Sequence, residues 1–365
     1  MIGTYRKMKR FDVDKYLKKN PVSVSLPYGR YSTAVIIPAY DELNSIGSTL
    51  DSLNGALRKV SLDAAVIVVI NYPPGADDFQ SKKLLEEINS GKYGKVYSIY
   101  LPDNPGGVGA ARKEGMDAFI HSIPPENMER SVICSLDADT IVDASYFIDT
   151  LPEVLKGGAV SIPFSHQEAE SPARQRAIDD YEAYMTRYVQ KLSDAGSPYA
   201  FYTIGSAFAV RCDAYIRAGG MKTRTAGEDF YFLQAVAKSS GVRQLSFQAV
   251  VHPSPRISKR VPFGTGPAME LLLKGGKLNV ISDPAFDALQ RFLHIAADLE
   301  ALAEHSILRS RLEEKMRIFL DKEGFFDRFG KVAKDNRKQP EKLLKSFHEW
   351  FDGLKTLKFL HFFSD

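Results

Sequence analysis

The chain has 365 residues, enough for one large domain with appendages or for two domains. With 44% hydrophobic, 25% charged and 11% aromatic residues, its composition is that of a globular protein with a sizeable core and excludes a disordered chain. A net charge of +3 gives no case for a nucleic-acid binder, which concentrates basic residues on one face.

Cys134 and Cys212 each sit inside an apolar run and read as small buried hydrophobes of a reducing compartment, with a disulfide between them as the weaker alternative. The N-terminus, MIGTYRKMKRFDVDKY, carries positive charge with no apolar segment behind it, so no signal peptide is expected. No stretch reaches the roughly 18 consecutive apolar residues of a spanning helix. The expectation is a cytoplasmic protein without a transmembrane segment.

After a polar leader over residues 1–31, STAVIIP (Ser32–Pro38) has the β-branched pattern of a buried parallel strand. Leu43, Ile46, Leu50, Leu53 and Leu57 then recur at helical spacing. AAVIVVI (Ala64–Ile70) is a second buried strand, Lys82–Asn89 a helix and VYSIYL (Val96–Leu101) a third strand. A glycine-rich turn, GGVGAARKEG, leads into the next helix, and SVICSL (Ser131–Leu136) is a fourth strand, stopped by Asp137. Strands alternating with helices predict an α/β fold with a doubly wound, mostly parallel sheet and helices on both faces. Beyond Asp149 the pattern predicts a long helix over Ala173–Leu192 and a strand over Tyr199–Val210 interrupted at Gly205-Ser206. A helix within Thr225–Ser239, a strand over Val242–His252 and a Pro/Gly/Arg loop over Pro253–Gly266 follow. From Asp287 onward mixed apolar and charged residues at 3.6 spacing predict a C-terminal helical appendage.

In such sheets ligands bind beyond the carboxyl ends of the strands, which selects Ala39–Glu42, Asn71, Asp103–Gly109 and Asp137–Asp139. Asp137 and Asp139, separated by Ala138 where a buried strand opens into a loop, can both face one ligand. Such paired hard oxygen ligands suit Mn²⁺ or Mg²⁺ shared with a diphosphate, although aspartates in this position also cap helices. Pro38-Ala39-Tyr40-Asp41-Glu42 ends the first strand with an aromatic and two acids. Asn104 through Arg112 forms a loop suited to anion contact at a helix N-terminus. Glu228 and Asp229 open a helix as adjacent acids, which would also complement its dipole. His252 ends an apolar run, where it is either a metal ligand or a structural histidine. Arg256, Lys259 and Arg260 follow in a loop framed by Pro and Gly, either as a solvated face or as diphosphate contacts that close as a lid.

Taken in order, these segments resemble an inverting family 2 glycosyltransferase of the GT-A fold. The resemblance rests on Pro38–Glu42, Asn104–Arg112, Asp137–Asp139, Gly205-Ser206 with Arg211 and Gly219-Gly220, and Glu228-Asp229, and spans about Thr33 to Gly266. It implies a domain over 32–280, with a nucleotide-binding half (32–143) and an acceptor half with lid loop (144–280), followed by the helical region 281–365. It implies a metal-dependent enzyme moving a sugar from a nucleotide-diphosphate sugar to an acceptor hydroxyl. Asp229 would be the general base, and Glu228 would hold the acceptor or orient the base. Pro38, Ala39, Tyr40, Glu42, Asn71, Gly107, Arg112, Asp137, Ala138, Asp139, Arg256 and Arg260 would bind the nucleotide-sugar. Gly205 and Ser206 would touch the acceptor, and Asp139, Asp137 and His252 would hold the metal.

Two features depart from the family. Asn71-Tyr72-Pro73-Pro74-Gly75 replaces the usual acidic turn after the second strand, which leaves the base open. The Q-x-x-R-W motif of processive synthases is absent, which argues against a processive, membrane-extruding enzyme; the acceptor is left open as a small molecule, a glycan or a lipid-linked molecule. The competing readings are a sugar-nucleotide nucleotidyltransferase, disfavoured by Pro38-Ala39-Tyr40 where a glycine-rich loop would stand, and a non-catalytic nucleotide-binding scaffold. The Trp350–Phe363 segment reads as core packing, with a peripheral membrane or homodimer contact left open.

Overall fold

The computed structural model describes residues 9–224, 226–258, 264–336 and 339–364. Lys259 and Arg260 of the basic loop, and Thr225 at the expected helix start, lie outside the described residues. The chain divides into two compact units: one runs to Tyr181 and resumes over Phe201–Gly276, and the other takes Glu182–Ala200 and Lys277–Asp365.

The first unit begins with α1 (Arg10–Lys19), β1 (Thr33–Ala39), α2 (Ile46–Lys59), β2 (Ala65–Asn71), α3 (Phe79–Asn89), β3 (Tyr97–Leu101), α4 (Gly107–Ser122) and β4 (Val132–Ser135). It continues with β5 (Ile141–Val142), α5 (Tyr146–Leu155), β6 (Ala159–Ser161), the start of α6 (Pro172–Asp194), β7 (Phe208–Arg211), α7 (Cys212–Arg217), α8 (Glu228–Ser240), β8 (Val242–Gln244), β9 (Val251–His252) and α9 (Thr265–Leu273). Seven strands form one sheet in the order β3-β2-β1-β4-β7-β6-β8. β7 runs antiparallel to β4 and β6, and the remaining pairs are parallel.

Every residue of β1 and β2 is buried, as expected for strands covered on both faces. Side chains alternate along a strand, so each face recruits its own helices. Val35, Ile37, Val66 and Val68 share a core with Leu50 and Leu53 of α2, Leu84 of α3 and Phe147 of α5. On the opposite face α4 lies so close that a Cβ on Gly115 would come 2.7 Å from Ile36 Cγ2 and 2.8 Å from Val69 Cγ2. Phe232 of α8 packs on that same side against Phe208 and Tyr215, at centroid distances of 5.7 and 5.5 Å. The expected doubly wound sheet, mostly parallel with helices on both faces, is therefore present. Because β1 to β4 run in one direction, the turns after them share one rim.

Three expectations need revision. The leader contains a helix, α1, anchored by buried Val13 and by Tyr16, whose hydroxyl donates to Asp117 at 2.7 Å. The strand expected over Tyr199–Val210 is confined to β7. Ahead of it the backbone is held by side chains: Gln244 accepts from the Tyr202 amide at 3.0 Å, and Ser161 donates to the Tyr202 carbonyl at 3.0 Å. The strand expected over Val242–His252 splits, since β8 pairs with β6 while β9 pairs with β5 in a separate two-stranded sheet.

The second unit contains α10 (Asp283–Ala297), α11 (Leu299–Ala303), α12 (His305–Arg311), α13 (Glu314–Lys322), α14 (Phe325–Asn336), α15 (Pro340–Trp350) and α16 (Gly353–Ser364). It also takes the second half of α6, which the sequence division places in the acceptor half. The reason is packing: Leu192 and Ala195 join a core built on Phe286, Phe292, Phe319, Phe347 and Phe359. Phe292 stacks on Phe359 at 5.4 Å and meets Phe351 edge-on at 5.0 Å, so the aromatic C-terminus is core. Cys134 and Cys212, in the first unit, are free and buried, and burial pushes the Cys134 thiol up to about 12. Among the described residues no helix is long and apolar enough to cross a membrane.

The contact between α4 and the sheet generates a prediction. Gly115→Val overpacks this interface and lowers stability by about 1–3 kcal/mol, read from the urea midpoint. An unchanged midpoint would contradict the close approach of α4.

Candidate active site at the carboxyl rim of the sheet

The acidic turn after β4 is shaped by its middle residue. Ala138 is buried in the sheet core, and its carbonyl accepts from Thr49 Oγ1 of α2 at 2.9 Å. The turn closes through the Thr140 amide, which donates to the Asp137 carbonyl at 3.1 Å. With Ala138 turned inward, the flanking Asp137 and Asp139 are left to meet ionic partners, and each finds an arginine.

Arg112, on the first turns of α4, is the more buried of the two at 3% side-chain exposure. Its guanidinium pairs with Asp137 on one side and with Glu228, the first residue of α8, on the other. Nε donates to Ser135 Oγ at 3.1 Å, and that hydroxyl donates to the Gly205 carbonyl at 2.7 Å. A Cβ on residue 205 would stand 2.3 Å from the guanidinium, so Gly205 is the residue that lets Arg112 pass. Asp229 follows Glu228 on α8 and is half-buried, its Oδ1 accepting from the Phe230 amide at 2.7 Å. Burial, and next the charge of Glu228, push the Asp229 carboxyl up to about 7 against the pull of Arg112.

Arg256, in the irregular segment after β9, pairs with Glu42 and with Asp139, its Nε lying 2.6 Å from Asp139 Oδ2. Glu42 sits just past β1, where its carbonyl accepts from the Ser45 and Ile46 amides at 3.0 Å and so starts α2. Gln167 locks this corner, donating to the Asp139 carbonyl at 2.8 Å and to the His252 carbonyl at 2.7 Å. The His252 ring is held by the Ser165 carbonyl at 3.0 Å from Nδ1 and by Asp143 at 3.2 Å from Nε2.

On the remaining rim, Pro38 and Ala39 are buried and Tyr40 is half-exposed. Pro38 stands beyond the last β1–β4 pair, Ile36↔Ser135, where a missing amide proton is tolerated. Asp41 and Asp103, just past β1 and β3, both adopt left-handed backbone, with φ of 57° and 50°. Asn71 ends β2 and is buried. Asn104 organises the turn into α4, its Oδ1 accepting from Gly106 at 3.0 Å and its Nδ2 donating to the Gly107 carbonyl at 3.2 Å.

The structure thus brings Glu42, Arg112, Asp137, Asp139, Glu228, Asp229 and Arg256 to one rim. It does not bring all the expected roles with them. Gly205 and Ser206, expected at the acceptor, are both buried; Ser206 is 1% exposed, and Gly205 serves Arg112. Among the described residues no three His, Cys, Asp or Glu side chains converge as a metal-ligand set. The expected trio of Asp137, Asp139 and His252 is separated by its pairings with Arg112, Arg256 and Ser165–Asp143 respectively. Asp137 and Asp139 are hard oxygen donors of the kind Mn²⁺ or Mg²⁺ takes, but each is engaged by an arginine, Asp137 by Arg112 and Asp139 by Arg256. Sequence reasoning missed Gln167, Ser135 and Asp143. None stands in a motif, and only long-range folding brings them in.

No family model matches the chain, and no curated protein sequence matches it. Among solved structures it is similar to Staphylococcus aureus TarS residues 1–349 in complex with UDP-GlcNAc, with 12% identity, 84% of this chain and 92% of that chain covered, and a TM-score of 0.43. It is also similar to glucosyl-3-phosphoglycerate synthase from Mycobacterium tuberculosis in complex with Mn²⁺, UDP and phosphoglyceric acid, with 14% identity, 76% and 86% covered, and a TM-score of 0.40. Likenesses this loose leave the strand order and the side-chain geometry to carry the function.

The raised Asp229 carboxyl makes stability depend on pH. Its folded form holds the proton to about 7 while the unfolded chain releases it near the ordinary value of about 3.9, so wild type loses stability as pH rises between them. Asp229→Asn is therefore more heat-stable than wild type at pH 8, and the gap closes as pH falls towards 4. A gap of constant size from pH 4 to pH 8 would contradict this environment for Asp229.

Proposed function

We propose that this chain transfers a sugar from a nucleoside-diphosphate sugar to an acceptor hydroxyl, with inversion at the anomeric carbon and Asp229 as general base. The carrying observation is the carboxylate cluster at the sheet rim, built around Arg112 and Arg256 at the place where parallel sheets bind ligands. Tyr40 would stack on the base and Asn71 would meet its edge, at the ends of the first two strands. The base would be uracil or guanine. Arg256 would contact the diphosphate in the fork geometry that arginine offers to phosphate.

In the transfer step the acceptor oxygen bonds to the anomeric carbon while its proton passes to an Asp229 carboxylate oxygen. The bond from that carbon to the diphosphate breaks, and the electron pair leaves with the nucleoside diphosphate. Mn²⁺ or Mg²⁺ held by Asp137 and Asp139 would neutralise the charge that grows on the leaving group. Glu228 acts through Arg112, because its carboxylate is buried against that guanidinium. It is thus a positioning residue for α8 and its base, not an acceptor ligand.

The test is turnover on a panel of UDP- and GDP-sugars, followed by release of nucleoside diphosphate. Asp229→Asn lowers turnover by about 10²-fold or more, the scale of general-base catalysis, with donor affinity within a few-fold of wild type. Normal turnover by Asp229→Asn would overturn the assignment of the base.

A further inference from the structure

We propose that the outer face of α1 docks the protein on an anionic lipid surface, with Phe11 entering the boundary between headgroups and acyl chains and the lysines beside it meeting lipid phosphates. This face uses none of the residues assigned to the transfer reaction.

Charge is unevenly placed along the chain. Residues 9–19, KRFDVDKYLKK, hold five basic residues against two acidic ones, which gives +3. The net charge of the whole chain is also +3, so the remainder sums to zero. The helix then sorts this segment by face. Val13 and Tyr16 are buried against the domain, while Phe11, Lys15 and Lys18 follow at i, i+4 and i+7 and form one exposed stripe on the other side. A single exposed apolar side chain is ordinary on a protein surface. Phe11 differs in its setting, since its ring is 70% exposed and stands between two lysines of the same stripe.

Beside the stripe, Lys15 and Lys19 of α1 and Arg217 of α7 line a groove of about 330 Å³ together with Asp12, Tyr16 and Ile216. Arg217 also meets the buried Asp213 at 3.4 Å, and Asp12 offsets part of the positive charge, so the two lysines are the main attraction for an anion there. An anionic bilayer matches stripe and groove at once. Its phosphates lie at the level of the lysine heads, and an apolar boundary lies just beneath, within reach of a ring on the same stripe.

A docking element must also be fastened to the domain it carries. Tyr16 donates to Asp117 Oδ1 at 2.7 Å, Tyr215 of α7 donates to the same oxygen at 2.8 Å, and Lys113 of α4 closes on the other oxygen of that carboxylate. A surface that holds α1 therefore holds α4 and α7, and with them the sheet.

Sedimentation of the full chain with vesicles of phosphatidylcholine alone, and of phosphatidylcholine mixed with phosphatidylglycerol, tests this. Wild type sediments with the mixed vesicles only and is released as salt rises. Lys15→Gln combined with Lys18→Gln weakens that binding about tenfold or more, since each basic residue near an anionic surface contributes about fivefold. Phe11→Ser weakens it at low and at high salt alike, which the loss of charge attraction would not do. All three side chains are exposed, and circular dichroism checks that the variants fold. Wild type left in solution with the mixed vesicles, or equal sedimentation by the double lysine variant, overturns the proposal. Undiminished binding by Phe11→Ser overturns the entry of the ring into the lipid. Binding to a single-stranded oligonucleotide in place of the vesicles would give the face a different partner and overturn its assignment to lipid.

Discussion

The buried guanidinium of Arg112 is the interaction on which the site depends. A charge at 3% exposure is tolerated only with partners, and here those partners come from three places in the chain: the end of β4, the turn after it and the start of α8. Satisfying Arg112 therefore fixes where Asp137 points and how α8 begins. It also dictates Gly205, because no side chain fits where the guanidinium passes. Asp229 inherits its character from the same arrangement. Arg112 is already committed to Asp137 and Glu228, so the next carboxylate along α8 is left in a partly buried, anionic setting that raises its affinity for a proton.

The second arginine completes an opposing design. Arg256 gathers Glu42 from the end of β1 and Asp139 from the acidic turn, but from an irregular segment and with a side chain partly in solvent. One guanidinium builds the scaffold of the rim and the other closes it. A rim rich in carboxylates is a poor place for a diphosphate unless cations are brought to it.

Much of this architecture is legible in the sequence because buried parallel strands have few ways to be written. STAVIIP, AAVIVVI, VYSIYL and SVICSL all fall on β1 to β4, and their direction alone places Tyr40, Asn71, Asn104 and Asp137 on one rim. What periodicity could not supply was partnership across long stretches of chain. Arg112 meets Glu228 116 residues away, and Arg256 meets Glu42 across 214. Gly205 and Ser206 stand in a segment that the resemblance assigns to the acceptor, yet Ser206 is buried and Gly205 makes room for Arg112. The second half of α6 has the same periodicity as the first, and only the aromatic core that receives Leu192 assigns it to the C-terminal unit.

The most direct test of the account is thermal unfolding of the purified chain against a panel of nucleoside diphosphates and nucleotide-sugars, each with and without Mn²⁺ or Mg²⁺. A ligand that binds only the folded state raises the midpoint. A rise is expected with at least one uridine or guanosine diphosphate, larger with the cation than without it. An unmoved midpoint across the whole panel would contradict a nucleotide-sugar site at this rim.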